Sequence, residues 1–289
     1  MREIFYNAFL PLCSSLSLRR IHALGRGLGS LMWAALPGRR RETTERIRDR
    51  LGLDERRARE LAKASFRESA CSFLELFHAR RMDYRFLDER LEYENPELFV
   101  RMCTSLRPIV GVTGHLGSWE LLGGMLKCFT SKTDCQVVVR LPKDRAMADL
   151  LMYMRTQSRI RVLPHREAAT EALGQLRRGG LSAFLVDHNC RHAEAVFLPF
   201  LGETAAVNKG PAILALRAKA EVWPFFLIRL PGGRFRAVTL PCLDTETLEG
   251  SRAERIERIS RFYTEAVEEM VLRYPEQWFW MHRRWKTRP

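Results

Sequence analysis

From residue 108 onward, short apolar runs alternate with segments of helical periodicity, and this alternation constrains the fold more than any other feature. "PIVGVTG" (108–114), "CQVVVRL" (135–141), "IRVLP" (160–164), "LSAFLVD" (181–187), "EVWPFFLIRL" (221–230) and "RFRAVTL" (234–240) read as strands. Between them, "SWELLGGMLKCF" (118–129), residues 144–158, "EAATEALGQLRR" and a stretch near 209–219 read as their helical connections. Apolar strands joined through helices fold into a mainly parallel sheet covered on both faces, an α/β architecture. A final helix opens with a capping box, Ser251 with Glu254. It carries Ile256, Ile259, Tyr263, Ala266, Val267 and Met270 on one side and is followed by Pro275.

Residues 1–95 have a different texture and read as helical. Asp54 is a candidate N-cap, after which Ala62, Phe66, Ala70, Phe73 and Phe77 recur at helical spacing. The expected organisation is an N-terminal helical, membrane-associating region over 1–95 packed as one unit with an α/β domain over 96–289. The uncharged run Ile4 to Leu18 is 15 residues and holds Asn7 and Pro11, and Gly27 to Gly38 is shorter still. Neither reaches the roughly 20 apolar residues of a spanning helix, and no cleavage-site pattern of a signal peptide follows. In "SLMWAALPGRRRE" (30–42), Leu31, Met32 and Trp33 lead directly into Arg39, Arg40 and Arg41. That order suits a helix lying in a bilayer interface with its cations on phosphates, and equally a core helix ending in a solvated basic turn.

The chain carries 48 Lys+Arg against 34 Asp+Glu, a net charge of +14, which calls for an anionic partner: nucleic acid, an acidic protein or a membrane surface. Its seven cysteines are dispersed without a CxxC pair, as expected in a reducing compartment and not in a disulfide framework.

"VTGHLGSWELLGG" (112–124) sets His115 and Glu120 in an otherwise small or apolar stretch. Five positions along one helix are about 140° apart, so the two would diverge if both were helical. A strand–turn–helix reading removes the conflict. Gly114 and Gly117 allow a sharp turn, Ser118 can cap the helix, and His115 falls beyond a strand's carboxyl end, where open sheets hold ligands. Glu120 then lies in the first helical turn, where the dipole favours a carboxylate. Its carboxylate could take one imidazole nitrogen, leaving the other as a base. This is the logic of a Ser-His-Asp triad whose hydroxyl arrives with the substrate. A purely structural pair, a buried histidine satisfied by a helix-cap carboxylate, is the alternative.

At this stretch the chain resembles the late acyltransferases of lipid A biosynthesis, within the lysophospholipid-acyltransferase-like group. Their motif is His, four residues, then Asp or Glu, and "HLGSWE" fits it. "FLVDHNC" with "VFLPFLGETAAVNKGPAILALRAKAEVWPFF" is similar to the family's second half, and "RYPEQWFWMHRRWKTRP" to its ending. The resemblance covers nearly the whole chain. It implies His115 and Glu120 as a catalytic dyad that moves an acyl group from a thioester to a hydroxyl, and Arg159 of "TQSRIRVLP" as the functional arginine. It also implies an acyl-carrier-protein donor, a lipid A precursor as acceptor, no cofactor, and a peripheral or monotopic place on the cytoplasmic face of the bacterial inner membrane. Acyl-CoA as donor, or another glycolipid or phospholipid as acceptor, stays within the same resemblance. Asp187 matches the aspartate after the family's core strand, with His188 where Gln is usual. Asp187, Arg283 and Arg284 are the expected substrate contacts.

Two other constellations compete. His188, Cys190 and His192 on alternate residues suggest metal ligands, but lack the paired spacing of structural zinc sites, so no metal is expected. The ending interleaves Trp278, Trp280 and Trp285 with Arg283, Arg284, Lys286 and Arg288. That mix suits a membrane interface, stacked bases on a neutralised backbone (which would make the chain a nucleic-acid-binding protein), or aromatics packed on the sheet with the cations in water. The resemblance favours packing for the tryptophans and phosphate contact for some of the cations, with no nucleic acid expected.

Overall fold

A computed structural model describes residues 14–132, 134–139, 141–142, 144–157, 160–165 and 168–289. The first part of the uncharged run Ile4 to Leu18, up to Cys13, lies outside the described residues, as does Arg159.

Three helices open the described chain. Ser17 accepts from the Arg20 amide and starts α1, Leu18–Ala35. Pro37 begins α2, Pro37–Leu51, which ends at Gly52 in the left-handed conformation. Asp54 accepts from the Arg57 amide and starts α3, Glu55–Glu75, as its position in the sequence anticipates. Helices α1 and α3 meet backbone to backbone. A Cβ added at Gly25 would lie 2.7 Å from the Cys71 Cα, and one at Gly29 2.4 Å from the Arg67 Cα. The segment 30–42 is therefore the end of one helix and the start of another, not a single interfacial helix. Trp33 turns inward and packs edge-on against Phe66 with Arg40 and Arg59 over its ring. The outward stripe of α1 is Leu24, Leu28 and Leu31 instead. Among the described residues, no helix is long and apolar enough to cross a membrane.

After the short helix α4, Tyr84–Asp88, strand β1 (Leu91–Glu94) pairs in parallel with a strand more than a hundred residues further on. Helix α5, Pro96–Thr104, leads to β2, Ile109–Thr113. Then come α6 (Trp119–Phe129), β3 (Cys135–Val139), α7 (Arg145–Thr156), β4 (Arg161–Pro164), α8 (Ala168–Arg177) and β5 (Leu181–Leu185). A hairpin of β6 (Ala195–Phe200) and β7 (Glu203–Asn208) precedes α9, Gly210–Ala218. Strands β8 (Glu221–Leu230), β9 (Arg234–Thr239) and β10 (Leu243–Asp244) follow, and α10, Arg252–Arg273, closes the order. Its N-terminus is the anticipated capping box of Ser251 and Glu254.

The central sheet runs β1-β9-β8-β2-β5-β3-β4, with β10 beside β8. Its pairs are parallel except where β8 meets β9 and β10. Residues of β2 and β8 are buried nearly throughout, as strands covered on both faces must be. Neither β1 nor the β6–β7 hairpin follows from the apolar pattern, because their strands lie at the border or off the sheet and bury only some positions.

Candidate active site

Strands β2 and β5 are parallel neighbours, with Thr113 opposite Leu185. The chain leaves both at the same edge, so His115 and Asp187, each two residues further, arrive side by side. His115 Nδ1 lies 2.8 Å from Asp187 Oδ1. The other carboxylate oxygen accepts from the His115 amide at 2.7 Å and from the Trp278 indole at 2.8 Å. The Asp187 side chain has no exposed surface. Burial alone would raise its pKa, but the charge His115 carries when protonated and the bonds from His115 and Trp278 hold it well below the usual carboxylate range. An ionised carboxylate only accepts, so Nδ1 carries the proton and Nε2 is the ring's basic nitrogen.

The loop that presents His115 is held from three sides. Gly117 has φ +64°, and a Cβ there would lie 2.2 Å from the Leu227 carbonyl oxygen of β8. Its amide donates to Gln277 O, the Ser118 amide donates to Leu227 O, and the Phe279 amide donates to His115 O. Ser118 occupies the N-cap position of α6 but makes no side-chain cap. Its hydroxyl instead donates to Glu75 at 3.0 Å.

Beneath the loop is a buried ion cluster. Arg229 donates to Glu75 at 2.7 and 2.9 Å, to Glu68 at 2.8 Å and to the Gly117 carbonyl at 3.3 Å. His22 reaches the same Glu75 at 2.8 Å. Burial would raise the Glu75 pKa, yet Arg229 and His22 lower it to about 2.

Glu120 and His115 line one cavity of about 470 Å³, but Glu120 does not orient the imidazole. That expectation is corrected: Glu120 takes two bonds from Arg155 on α7, at 2.9 and 2.6 Å. Burial would lower the Arg155 pKa, and Glu120 more than reverses this, raising it. The walls behind the polar mouth include Val137, Val139, Leu141, Ile160 and Leu185, with Gly123 on α6 opening space between them. The His115 ring lies edge-on to Trp119 and tilted to Phe279.

The remaining expected residues separate. Asp187 is sealed behind His115, so its expected contact with substrate gives way to one with the imidazole. Arg284 is likewise buried, donating to Ala206 O and lying over Phe200. Arg283 is exposed and reaches Glu42 at 3.4 Å. Trp278 and Trp280 are both 0% exposed, so neither offers a ring face to a base, while Trp285 is half-buried with Arg50 over its ring. His188 lines the cavity, Cys190 is buried and the His192 ring packs on Phe197, so the three do not converge. Among the described residues, three potential metal-ligating side chains do come together: the donor atoms of His115, Asp187 and His282 lie within 4.8 Å of one another. Sequence reasoning missed Arg155 and His282. The first sits four positions before the arginine that the resemblance suggested, and the second is hidden in a basic, aromatic ending.

A histidine paired with a buried aspartate thus lines a largely apolar cavity. The profile of the bacterial lipid A biosynthesis acyltransferases matches residues 2–287. The chain belongs to that family. It is 29% identical over 153 residues to the lipid A biosynthesis lauroyltransferase of Escherichia coli K12, covering 51% of this chain and 47% of that protein. The lipid A biosynthesis palmitoleoyltransferase of the same organism is 24% identical over 145 residues, covering 48% and 45%. The match thus spans about half the length of these curated relatives. In this lipid A acyltransferase family member, His115 and Glu120 of "HLGSWE" both line the cavity just described.

Proposed function

We propose that the protein is an O-acyltransferase that moves a fatty acyl group from an acyl-carrier-protein thioester to a hydroxyl of a lipid A precursor, at the cytoplasmic face of the inner membrane. The observation that carries this reading is the 2.8 Å contact between His115 Nδ1 and Asp187 Oδ1 beside the apolar cavity.

His115 Nε2 takes the proton of the acceptor hydroxyl as its oxygen attacks the thioester carbonyl. The new C–O bond forms, the tetrahedral intermediate collapses, the C–S bond breaks, and the proton on Nε2 goes to the departing thiolate. Asp187 fixes the tautomer and stabilises the imidazolium. The guanidinium of Arg155, held by Glu120, offers a fixed charge for the oxyanion or for a phosphate of the donor. Glu120 thereby acts through Arg155, in place of a direct dyad with His115. Arg159 remains a candidate for the same charge from the residues that follow α7. The thioester is already activated, so the reading requires no metal or nucleotide. The net charge of +14 suits an acidic carrier and an anionic bilayer.

The test is incubation with acyl-carrier thioesters of several lengths and a tetra-acylated lipid A precursor, with products weighed by mass spectrometry. His115→Ala should lower turnover by roughly a hundredfold or more while the protein stays folded. Undiminished turnover in that variant would remove the mechanism. An acyl-CoA that serves better than any carrier thioester would change the donor alone.

A further inference from the structure

Phe279 and His282 have a cavity on each side. One is the cavity of His115. The other, of about 390 Å³, lies between the end of α1, the last turns of α3 and the C-terminal segment. It is a groove with apolar walls from Met32, Leu36, Phe73 and Met281. Ser69 also lines it, and its buried hydroxyl has no hydrogen-bond partner among the described residues.

The groove has two kinds of edge. On one side the outward stripe of α1 continues from Leu36 through Leu31, Leu28 and Leu24, with Leu31 at 64% exposure. Such a row on one helix is unusual for a face turned to water. On the other side Arg39 and Arg283 rise at the rim, and both reach the same carboxylate, Glu42, at 3.3 and 3.4 Å. Arg46, near enough to feel all three, adds a further cation. One carboxylate among three guanidiniums leaves an excess of positive charge beside an apolar trough.

We propose that this groove is where the acceptor enters from the bilayer. The phosphate-bearing head of a membrane lipid sits between Arg39 and Arg283, its chains run along Leu36, Phe73 and Phe279, and the leucine stripe of α1 rests in the membrane beside it. The destination of the lipid at His115 rests on the acyltransferase reading; the binding of the lipid in the groove does not. The shared wall of Phe279 and His282 puts donor and acceptor in separate cavities, and the His115 ring lies behind that wall, its centroid 6.3 Å from that of Phe279 and 6.1 Å from that of His282.

Dihexanoyl-phosphatidylglycerol, kept below the concentration at which it forms micelles, is titrated into the full chain and followed by calorimetry. Arg39→Glu/Arg283→Glu should weaken binding roughly tenfold or more, and Leu36→Trp, which fills the trough, should do the same. Glu120→Gln in the neighbouring cavity should leave it unchanged. Arg39→Gln/Arg283→Gln provides a milder pair should the charge reversals fail to fold. Lipid affinity indifferent to these groove variants, or inorganic phosphate binding as tightly as the lipid, overturns the proposal. In flotation with phosphatidylglycerol vesicles, Leu24→Asp/Leu28→Asp/Leu31→Asp should no longer rise with the membrane; undiminished flotation overturns the bilayer contact. With acceptor in vesicles, the arginine variants should raise its KM and leave that of the donor unchanged. Groove-dependent lipid binding without any acyl transfer sinks the acyltransferase reading alone, and transfer with groove-independent binding sinks the groove alone.

Discussion

At the scale of single residues, three donors converge on one carboxylate. Asp187 accepts from the His115 ring, the His115 amide and the Trp278 indole. Asp187→Asn keeps the shape and reverses the hydrogen-bond logic, since an amide can present N–H to Nδ1 and leave the proton on the wrong nitrogen. Replacing the aspartate of a serine-protease triad in this way lowers turnover by about 10⁴, and a loss of at least roughly a hundredfold in kcat is expected here, measured with the acyl-carrier assay. Activity close to that of the unaltered protein would mean that Asp187 is structural. The Glu120–Arg155 pair predicts a different signature. Arg155→Lys retains a charge but not the two-pronged contact seen at 2.9 and 2.6 Å, and should lower activity without changing the melting temperature by more than a few degrees.

Among the elements, the loop between β2 and α6 depends on parts of the chain far from it. Arg229 of β8 and Glu75 of α3 lie beneath its Gly117 carbonyl and Ser118 hydroxyl. Replacing Arg229 by Met leaves Glu75 buried without its main counter-charge, a loss of about 3–5 kcal/mol, which chemical denaturation would register as a lower midpoint. Loss of well under 1 kcal/mol would argue that water reaches the cluster. Gly117→Ala tests the same loop from the backbone. Its left-handed φ and the 2.2 Å approach to Leu227 O leave no room for a methyl group, so the loop must move and turnover should fall even where the protein remains folded. The glycines of α1 have an equivalent role in letting α1 lie against α3, which turns Leu24, Leu28 and Leu31 away from the core.

For the whole molecule, the response to acid follows from groups that the fold keeps neutral or ionised. Burial lowers the His282 pKa to about 3, with Asp187 only partly opposing it, and lowers that of His78 to about 4. Both stay neutral in the folded chain where the unfolded chain already takes up protons, between about pH 6.5 and 4. The unfolded state binds more protons in that window, so stability falls as pH falls through it, by at most about 1.4 kcal/mol per unit for each histidine. Asp187 and Glu75, both held low, extend the loss below about pH 4. Thermal unfolding from pH 7.5 down to 4.5 should show a declining midpoint, and a shallower decline in His282→Gln. A flat profile would mean that these histidines open to solvent.

Local periodicity is a property of neighbouring residues, and what depended on it was legible in the sequence. Apolar runs gave the strands of the parallel sheet, Ser251 with Glu254 and Asp54 gave two helix starts, and the glycines around His115 gave the turn at a strand's end. Pairing across long stretches of chain is decided by which strands become neighbours, and no spacing records that. Asp187 meets His115 across 72 positions because β2 and β5 lie side by side in register. Glu120 was near in sequence but turned to Arg155 of α7, since the helix that carries it begins after the loop and faces another way. Trp33 suited a membrane interface and a core helix equally by its sequence, and the crossing of α1 and α3 took it inward and left leucines on the outside. The sequence thus determined the elements and the histidine at their edge, while tertiary structure chose the partners, because hydrogen bonds and burial act between neighbours in space.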